Sequence, residues 1–512
     1  MEPLRFSHWI KASREFFPIG QLRYPQAIRH QRVQLDHLLR AAVETEFGRQ
    51  HRFGDILDAE QVYEAFASRV PFSDYSGMHD WWVRSYQGEP NITWPGVTKF
   101  FALSSGTTEG ASKYIPVTKK MLRSILRTSR RQLIDIIREG TITDFLAKDY
   151  LAIGGSTDLH KEGTSYAGDL SGITTSHMPI WFKGASKPDE EIRKIRDWQE
   201  KMDRMVEQAP EWDIVIIAGV PAWIKLLIER IMERYQLNSI HDIWPRFSVY
   251  IHGGVSIDPY RKSLDDLFGK PVAFYETYLA SEGFLAWQSR KDAKGMRLNV
   301  RAGIFFEFIA FTDENFDEHG HVYPHAEVTQ FHAVQEHEDY ALVISTCAGA
   351  WRYLIGDVIR FVDLQRCEIK IMGRTRHFLS LCGEHLSVDN MNHGIQLLAE
   401  QLDLPLGEFT VKGVYEEGQF AHRWYIGCET DVEDPMGAAA ALDRILSELN
   451  DDYAVERKNG ALKQMTVDWL PASRFMEWMD RRGKLGSQNK VPRVMTDAQY
   501  EDWLNFLKEH RV

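Results

Sequence analysis

From about residue 95 onward, short β-branched or aromatic runs alternate with helical patterns, which restricts the chain to an α/β architecture more than any other feature does. The runs Asp213–Gly219, Phe247–His252, Val272–Tyr275, Ile304–Ile309 and Ala341–Cys347 are each expected to be strands. Between the first two, Pro221–Gln236 carries Trp223, Leu226, Leu227, Arg230 and Ile231 at the spacing of an amphipathic helix. Residues 1 to about 90 read as helical and polar-faced, with Leu35, Leu38, Leu39, Ala42 and Val43 at spaced apolar positions.

At 512 residues the chain exceeds one ordinary domain, and roughly two to four compact units are expected. A second unit is expected to begin near Gly373–Glu384. It comprises a helix over 388–402, strands near 409–415 and 423–429, a helix over 436–450 and a strand near 464–470. That order, α, β, β, α, β, is typical of a small α+β domain. The tail opens with Thr496-x-x-Gln499, a capping box in which each side chain satisfies a free backbone N–H. Tyr500, Trp503, Leu504 and Leu507 then form one apolar stripe.

Composition excludes several classes. Hydrophobic residues at 44% and charged residues at 26% are globular proportions. A formal charge of −12 opposes general electrostatic binding to nucleic acid, although a locally cationic site would still accept a nucleotide. The cysteines Cys347, Cys367, Cys382 and Cys428 show no paired metal-ligand spacing and read as thiols of a reducing compartment. Met1–Pro18 lacks the apolar core of a signal peptide, and no run of about 18 apolar residues occurs. A cytoplasmic protein without membrane association is expected.

The segment Ser104-Ser105-Gly106-Thr107-Thr108-Glu109-Gly110-Ala111-Ser112-Lys113 supplies hydroxyls, free N–H groups and glycines that let backbone approach an anion. A strand-like lead-in (99–103) and a helical stretch (121–138) flank it. It is not the P-loop pattern G-x-x-x-x-G-K-[ST], because Lys113 lies three residues beyond Gly110 and precedes Tyr114. By itself it reads equally well as an ordinary turn.

Three further segments raise its weight. The loop resembles the phosphate loop of adenylate-forming enzymes. In the form Ser-Ser-Gly-Thr-x-x-Gly-x-x-Lys followed by Pro116, it looks most like the auxin-responsive acyl-acid amido synthetase family. Tyr275-Glu276-Thr277-Tyr278-Leu279-Ala280-Ser281-Glu282-Gly283 resembles that family's second motif in the form of its bacterial members. Trp351-Arg352-Tyr353-Leu354-Ile355-Gly356-Asp357 resembles its third, Tyr-Arg-x-Gly-Asp, imperfectly: aligned on Gly356-Asp357, Tyr353 matches the tyrosine and Leu354 stands where arginine is expected. Asn489-Lys490-Val491-Pro492-Arg493 is similar to its catalytic-lysine segment. The matches come in family order over about residues 100–495.

The resemblance implies an α/β fold with a large N-terminal adenylate-forming domain of α/β subdomains (1–378) and a smaller, mobile α+β C-terminal domain (379–512). It also implies ATP and Mg2+ as cofactors. Ser105, Thr107 and Thr108, with Ser104 and Gly106, would hold the phosphates, while Lys113 would pair with phosphate or cap the helical region. Glu282 would bind Mg2+, a hard cation that prefers carboxylate oxygen. Tyr278 would line or close the adenine pocket, and Gly254 and Val255, within His252-Gly253-Gly254-Val255-Ser256, would lie against the ring. Asp357 would accept hydrogen bonds from the ribose hydroxyls. Arg374, at the start of a stretch similar to the interdomain hinge, would contact ribose or be a surface arginine in a linker. Lys490 would swing to the α-phosphate during adenylation, with Lys490 and Glu282 as the catalytic residues.

The implied activity converts ATP and a small carboxylic acid into acyl-adenylate and then transfers the acyl group to an amine, that of an amino acid. An acyl-CoA ligase with a thiol acceptor and a nucleotide-binding protein without turnover are the alternatives. A monomer is compatible with the resemblance. Gly154–Thr157 and Gly168–Ile173, both loop-like, fall where the family builds its acid-binding region. Asp317-Glu318-His319-Gly320-His321 with His325 and Glu327 fits no standard metal spacing and reads as a strand-connecting loop. No His-Glu-x-x-His helix or Gly-x-Ser-x-Gly elbow occurs. Arg127, Arg130 and Arg131 form a local basic face, expected to be solvated or paired with acidic residues.

Overall fold

The computed structural model describes residues 24–104, 113–140, 142, 148–178, 184–317, 320–375, 378–379, 381, 384, 386–416, 419–459, 462–484 and 490–510. In chain order, the elements that frame the site begin with helix Tyr24–Ala42 (α1), strands Phe100–Ser104 (β1) and Lys113–Val117 (β2), and helix Lys119–Arg138 (α2). Next come Asp149–Ala152 (β3), Leu170–Ser176 (α3), Ile214–Gly219 (β4), Pro221–Tyr235 (α4), Val249–Gly253 (β5), Ala273–Ala280 (β6) and Gly283–Trp287 (β7). Ile304–Ala310 (β8), Asp339–Thr346 (β9), Tyr353–Asp363 (β10) and Glu368–Arg374 (β11) follow. The C-terminal unit holds Val388–Leu402 (α5), Leu406–Glu416 (β12), Gln419–Cys428 (β13), Pro435–Leu449 (α6), Thr466–Leu470 (β14), Ser473–Arg481 (α7) and Asp497–Glu509 (α8).

A twelve-stranded mixed sheet runs in the order 328–330, β8, β9, β10, β11, 296–298, β7, β6, β5, β4, β3, 186–187. Strands β3 to β6 are parallel, and β7 turns back antiparallel on β6. Parallel strands are covered on both faces, which explains the unbroken apolar run of Ile214, Val215, Ile216 and Ile217, all buried. Leu227, Ile228 and Ile231 of α4 pack with Ile214 and Ile217 in one core. On the other face Val215, Ile216, Val249 and Tyr275 pack with Ile136 of α2. Pro221 opens α4 at a position whose N–H needs no helical partner, and Gln236 closes it in the left-handed region.

The antiparallel half packs against the N-terminal helices. Leu35, Leu38 and Leu39 of α1 share a core with Phe306, Phe308, Leu342 and Ile344. Buried Gln31 fixes the contact: its amide donates to the carbonyls of Val300 and Ile304, each at 3.1 Å, and accepts from the Phe306 N–H at 2.7 Å.

In the C-terminal unit, β12, β13 and β14 form a three-stranded sheet. One core joins it to α5 and α6, and another joins Tyr425 to Phe475, Trp478, Trp503 and Phe506 of α7 and α8. The Thr496–Gln499 capping box forms at the start of α8. A helix over Asp451–Asn459 separates α6 from β14, an element the sequence pattern did not predict.

Two expectations are corrected. Gly168–Ile173 is not a loop throughout, because Leu170 begins α3. Gly172 serves close packing inside that helix, since a Cβ there would lie 2.1 Å from the Ser156 carbonyl oxygen. Lys113 caps no helix and instead begins β2. The α2 cap is Thr118, whose hydroxyl accepts from the Met121 N–H at 3.1 Å. The predicted strands otherwise form with shifted ends: Val272–Tyr275 becomes Ala273–Ala280, which carries Tyr278 inside the strand.

Candidate active site

The parallel strands β5 and β6 end at one rim of the sheet, the position where open α/β sheets bind ligands. Strand β5 delivers Gly253 and leads into Gly254, while β6 delivers Tyr278 and then the Ser281–Glu282 turn. From the antiparallel half, β10 and β11 bring Asp357 opposite Arg374 in register. Lys490 arrives from the C-terminal unit.

Arg374 Nε lies 2.9 Å from Asp357 Oδ1, and its Nη2 donates to the Ile355 carbonyl at 2.9 Å. The Tyr278 hydroxyl donates to the second oxygen, Asp357 Oδ2. Arg374 is therefore not a linker arginine: it ends β11, half-buried, and supplies a guanidinium to a motif whose own arginine position is Leu354. Nearby Arg352 points away and pairs at 3.1 Å with fully buried Glu307.

Glu282 faces the same group. Desolvation holds its carboxyl above the usual carboxylate range and the Asp357 charge adds to this, while Arg374 and Lys113 oppose it. Glu282 offers carboxylate oxygen of the kind a hard divalent ion takes, although among the described residues no group of three or more potential metal ligands comes together. Lys113 Nζ also stands 5.3 Å from the centre of the Tyr75 ring.

Lys490 donates its ammonium to the Gly254 carbonyl. Gly254 has φ +85°, and a Cβ there would lie 3.3 Å from Lys490 Nζ, so glycine serves both the left-handed turn and the close approach. The lysine remains solvent-accessible as a residue, yet desolvation at the site and then the Arg374 charge push its ammonium down to about 8, with Asp357 opposing. Val255 packs at the edge of the α4 core. The structure thus brings Glu282, Tyr278, Asp357, Arg374, Lys490 and Gly254 to one rim. Ser105, Gly106, Thr107 and Thr108 lie outside the described residues, as do Asn489, Glu318 and His319, and Ser104 is described only by its backbone at the end of β1.

Sequence reasoning missed the contact that holds Lys490's segment in place. Arg493, three residues on, pairs with Glu408 at 2.7 Å and lies 4.2 Å over the Phe409 ring. The hydroxyl of Tyr260, from the segment after β5, donates to the same Glu408. Its signal was a charged residue at each end of the contact, but their pairing spans 85 residues and no spacing rule reaches that far. Buried Lys201 was also missed. It donates to the Gly154 carbonyl at 3.0 Å, and Ser171 accepts from the Gly155 N–H at 2.9 Å, so the two segments expected near the acid pocket do meet.

Comparison with known proteins agrees in order and extent. Residues 23–149 and 155–273 match the GH3 family N-terminal domain, 298–374 the GH3 family central domain and 389–499 the GH3 family C-terminal domain. A jasmonoyl–L-amino acid synthetase of Oryza sativa subsp. japonica is 22% identical over 92% of this chain and 93% of its own length. An indole-3-acetic acid-amido synthetase of Arabidopsis thaliana is 21% identical, over 88% and 89% respectively. Among solved structures, the GH3.15 acyl acid amido synthetase superposes with a TM-score of 0.72 at 18% identity, covering 94% of this chain and 93% of that one. A 2-hydroxyisobutyryl-CoA ligase in the postadenylation state gives 0.58 at 14% identity, covering 95% and 93%. With family domains matched in sequence along most of the chain and the fold of adenylate-forming ligases around this rim, the protein is a ligase of that type and belongs to the GH3 family.

Proposed function

We propose that this enzyme uses ATP to activate a small carboxylic acid as its acyl-adenylate and transfers the acyl group to the amine of an amino acid, releasing AMP. The observation that carries the reading is the meeting of Glu282, Asp357, Arg374 and Lys490 at the rim of β5 and β6. Each answers a separate demand of one nucleotide. Asp357, held by Arg374, presents carboxylate oxygens to the ribose hydroxyls once the Tyr278 hydroxyl yields its place. Lys490 brings positive charge toward the α-phosphate, where negative charge develops as the carboxylate attacks. Gly254 and Val255 border the adenine, Tyr278 closes its pocket, and Ser104, Ser105, Gly106, Thr107, Thr108 and Lys113 hold the phosphates. Mg2+, bound at Glu282, would offset triphosphate charge.

A carboxylate is a poor electrophile, and AMP is a good leaving group, so activation precedes amide formation. Residues 1–378 would bind ATP and acid, and 379–512 would carry Lys490 and move to admit the amine. All of these groups come from one chain, so a monomer suffices. Among the described residues no helix is long and apolar enough to cross a membrane, and Cys347, Cys367 and Cys428 are buried free thiols. Both features suit a cytoplasmic enzyme.

The test is a product screen with a panel of aryl and alkyl acids, ATP and Mg2+, offering amino acids and coenzyme A as competing acceptors. Mass spectrometry should find acid–amino acid amides and AMP. Thioester without amide would overturn the acceptor assignment, and absence of acid-dependent pyrophosphate exchange would overturn adenylation.

A further inference from the structure

A second cavity, about 650 Å³ in volume, opens on the outer face of α2, where that helix meets α1, β2 and the segment following residue 300. Its size falls within the roughly 300–1,000 Å³ range of small-molecule sites. It is separate from the rim that carries Asp357, because the inner face of α2 turns the other way. There Gln132 donates to Thr277 Oγ1 at 2.8 Å, and Met121 packs beside Gly283.

Lys99, Lys120, Arg123, Arg127, Arg131 and Arg301 line this cavity, and no aspartate or glutamate is among its lining residues. Helix α2 sets Arg123, Arg127 and Arg131 four residues apart on one stripe. Like charges at that spacing destabilise a helix. Relief from an acidic partner is small: Asp135, the one acid in α2, is paired with Arg297 at 2.8 Å and only partly offsets the charges around Arg131. Among the described residues Arg123, Arg127, Arg131 and Arg301 form no salt bridge; Arg123, Arg127, Arg130 and Arg301 are exposed, in line with the solvation expected of this basic face, and Arg131 is partly buried. Burial pushes the Arg131 guanidinium down, and the charges of Arg301 and Arg127 push it further. Lys120 stands 5.2 Å from the Trp94 ring centre, which gives the cavity one aromatic wall.

A concave pocket whose charged lining residues are all cationic, in a chain of formal charge −12, runs against the field of the rest of the molecule. We propose that this cavity binds a small polyanion bearing several phosphate groups, at a site distinct from the one that binds ATP for adenylation. Guanidinium groups suit the ligand class, because their planar forks pair with phosphate oxygens two at a time. Multiple phosphates would turn the mutual repulsion of the stripe into attraction.

Isothermal titration with inositol hexakisphosphate at about 50 mM salt, where screening is weak, tests this on the full chain. A tripolyphosphate arm separates a need for bare linear phosphate from a need for a ring scaffold. Wild type should bind at least one probe, and Arg127→Ala/Arg131→Ala should weaken that binding by at least about tenfold. Arg130→Ala, on the same helix but outside the lining, should bind as wild type does. The double variant should melt no lower than wild type, since repulsion is removed, and its KM for ATP should be unchanged. Equal binding by wild type and the double variant, or no binding of either probe up to about 1 mM, would overturn the proposal. An oligonucleotide that binds the wild type more tightly than either probe, with the same loss in the double variant, would also overturn it in favour of a nucleic-acid face.

Discussion

Arg374 and Asp357 stand opposite each other on β11 and β10, 2.9 Å apart, and Tyr278 occupies the aspartate oxygen that Arg374 leaves open. The carboxylate is thereby held in one orientation before any nucleotide arrives. Such pre-positioning lowers the ordering cost of binding.

Replacing Asp357 by Asn keeps the shape and removes the charge. Charge-assisted hydrogen bonds are worth about 1.5–3 kcal/mol, so KM for ATP should rise by roughly tenfold to a hundredfold. Steady-state kinetics of acid-dependent pyrophosphate exchange would measure it. An unchanged KM would remove Asp357 from the ribose site.

Lys490→Ala should slow adenylation by about 3–4 kcal/mol in barrier, comparable to deleting an oxyanion-hole donor. Transfer from chemically supplied acyl-adenylate should suffer far less. Because the Lys490 ammonium titrates near 8, adenylation should decline as pH rises through that value. Lys490→Arg should move the decline to higher pH. A parallel loss of both half-reactions would instead indicate a role in folding.

The buried pair Glu408–Arg493, with side chains 9% and 10% exposed, joins the segment carrying Lys490 to Tyr260. Glu408→Ala leaves the guanidinium without its carboxylate and should cost about 3–5 kcal/mol of stability. Tyr260→Phe removes one hydroxyl that donates to the Glu408 carboxylate and should cost less, about 1.5–3 kcal/mol. Urea denaturation of both variants checks the ordering.

Glu276 on β6 and Asp389 on α5 face a shared group of charges that includes Asp258 and Lys370. Burial and then the Asp258 charge raise Glu276 to about 7. Burial likewise raises Asp389 to about 6, where Lys370 opposes. Their folded values lie above the unfolded ones, so the native state binds more protons. Their contribution to stability is complete below the unfolded values and is lost as pH rises through about 6 to 7. The loss of stability between pH 5 and 8, followed by denaturant titration, should be smaller in Glu276→Gln than in wild type.

Much of the architecture was legible along the chain. Apolar runs such as Ile214–Ile217 and the spaced face of Pro221–Tyr235 declare their elements locally, because burial on both faces of a sheet or one face of a helix imposes its period on neighbouring residues. Thr496 and Gln499 announce their cap just as locally, because each side chain accepts from the other's free backbone N–H. Glycine misled at Gly172, where the sequence cannot distinguish a turn from a helix pressed against the Ser156 carbonyl.

The sequence by itself determined the α/β class, the motifs in family order and the identity of Glu282, Asp357 and Lys490 as site candidates. Only the tertiary structure decided that Arg374 supplies the guanidinium at Asp357, that Glu408 and Tyr260 dock the Lys490 segment, and that the arginine stripe of α2 lines a cavity with no acid among its lining residues. Period and capping are properties of a few consecutive residues. Charge pairing is set by distances between strands and helices far apart in the chain, and those distances exist only once the sheet has formed.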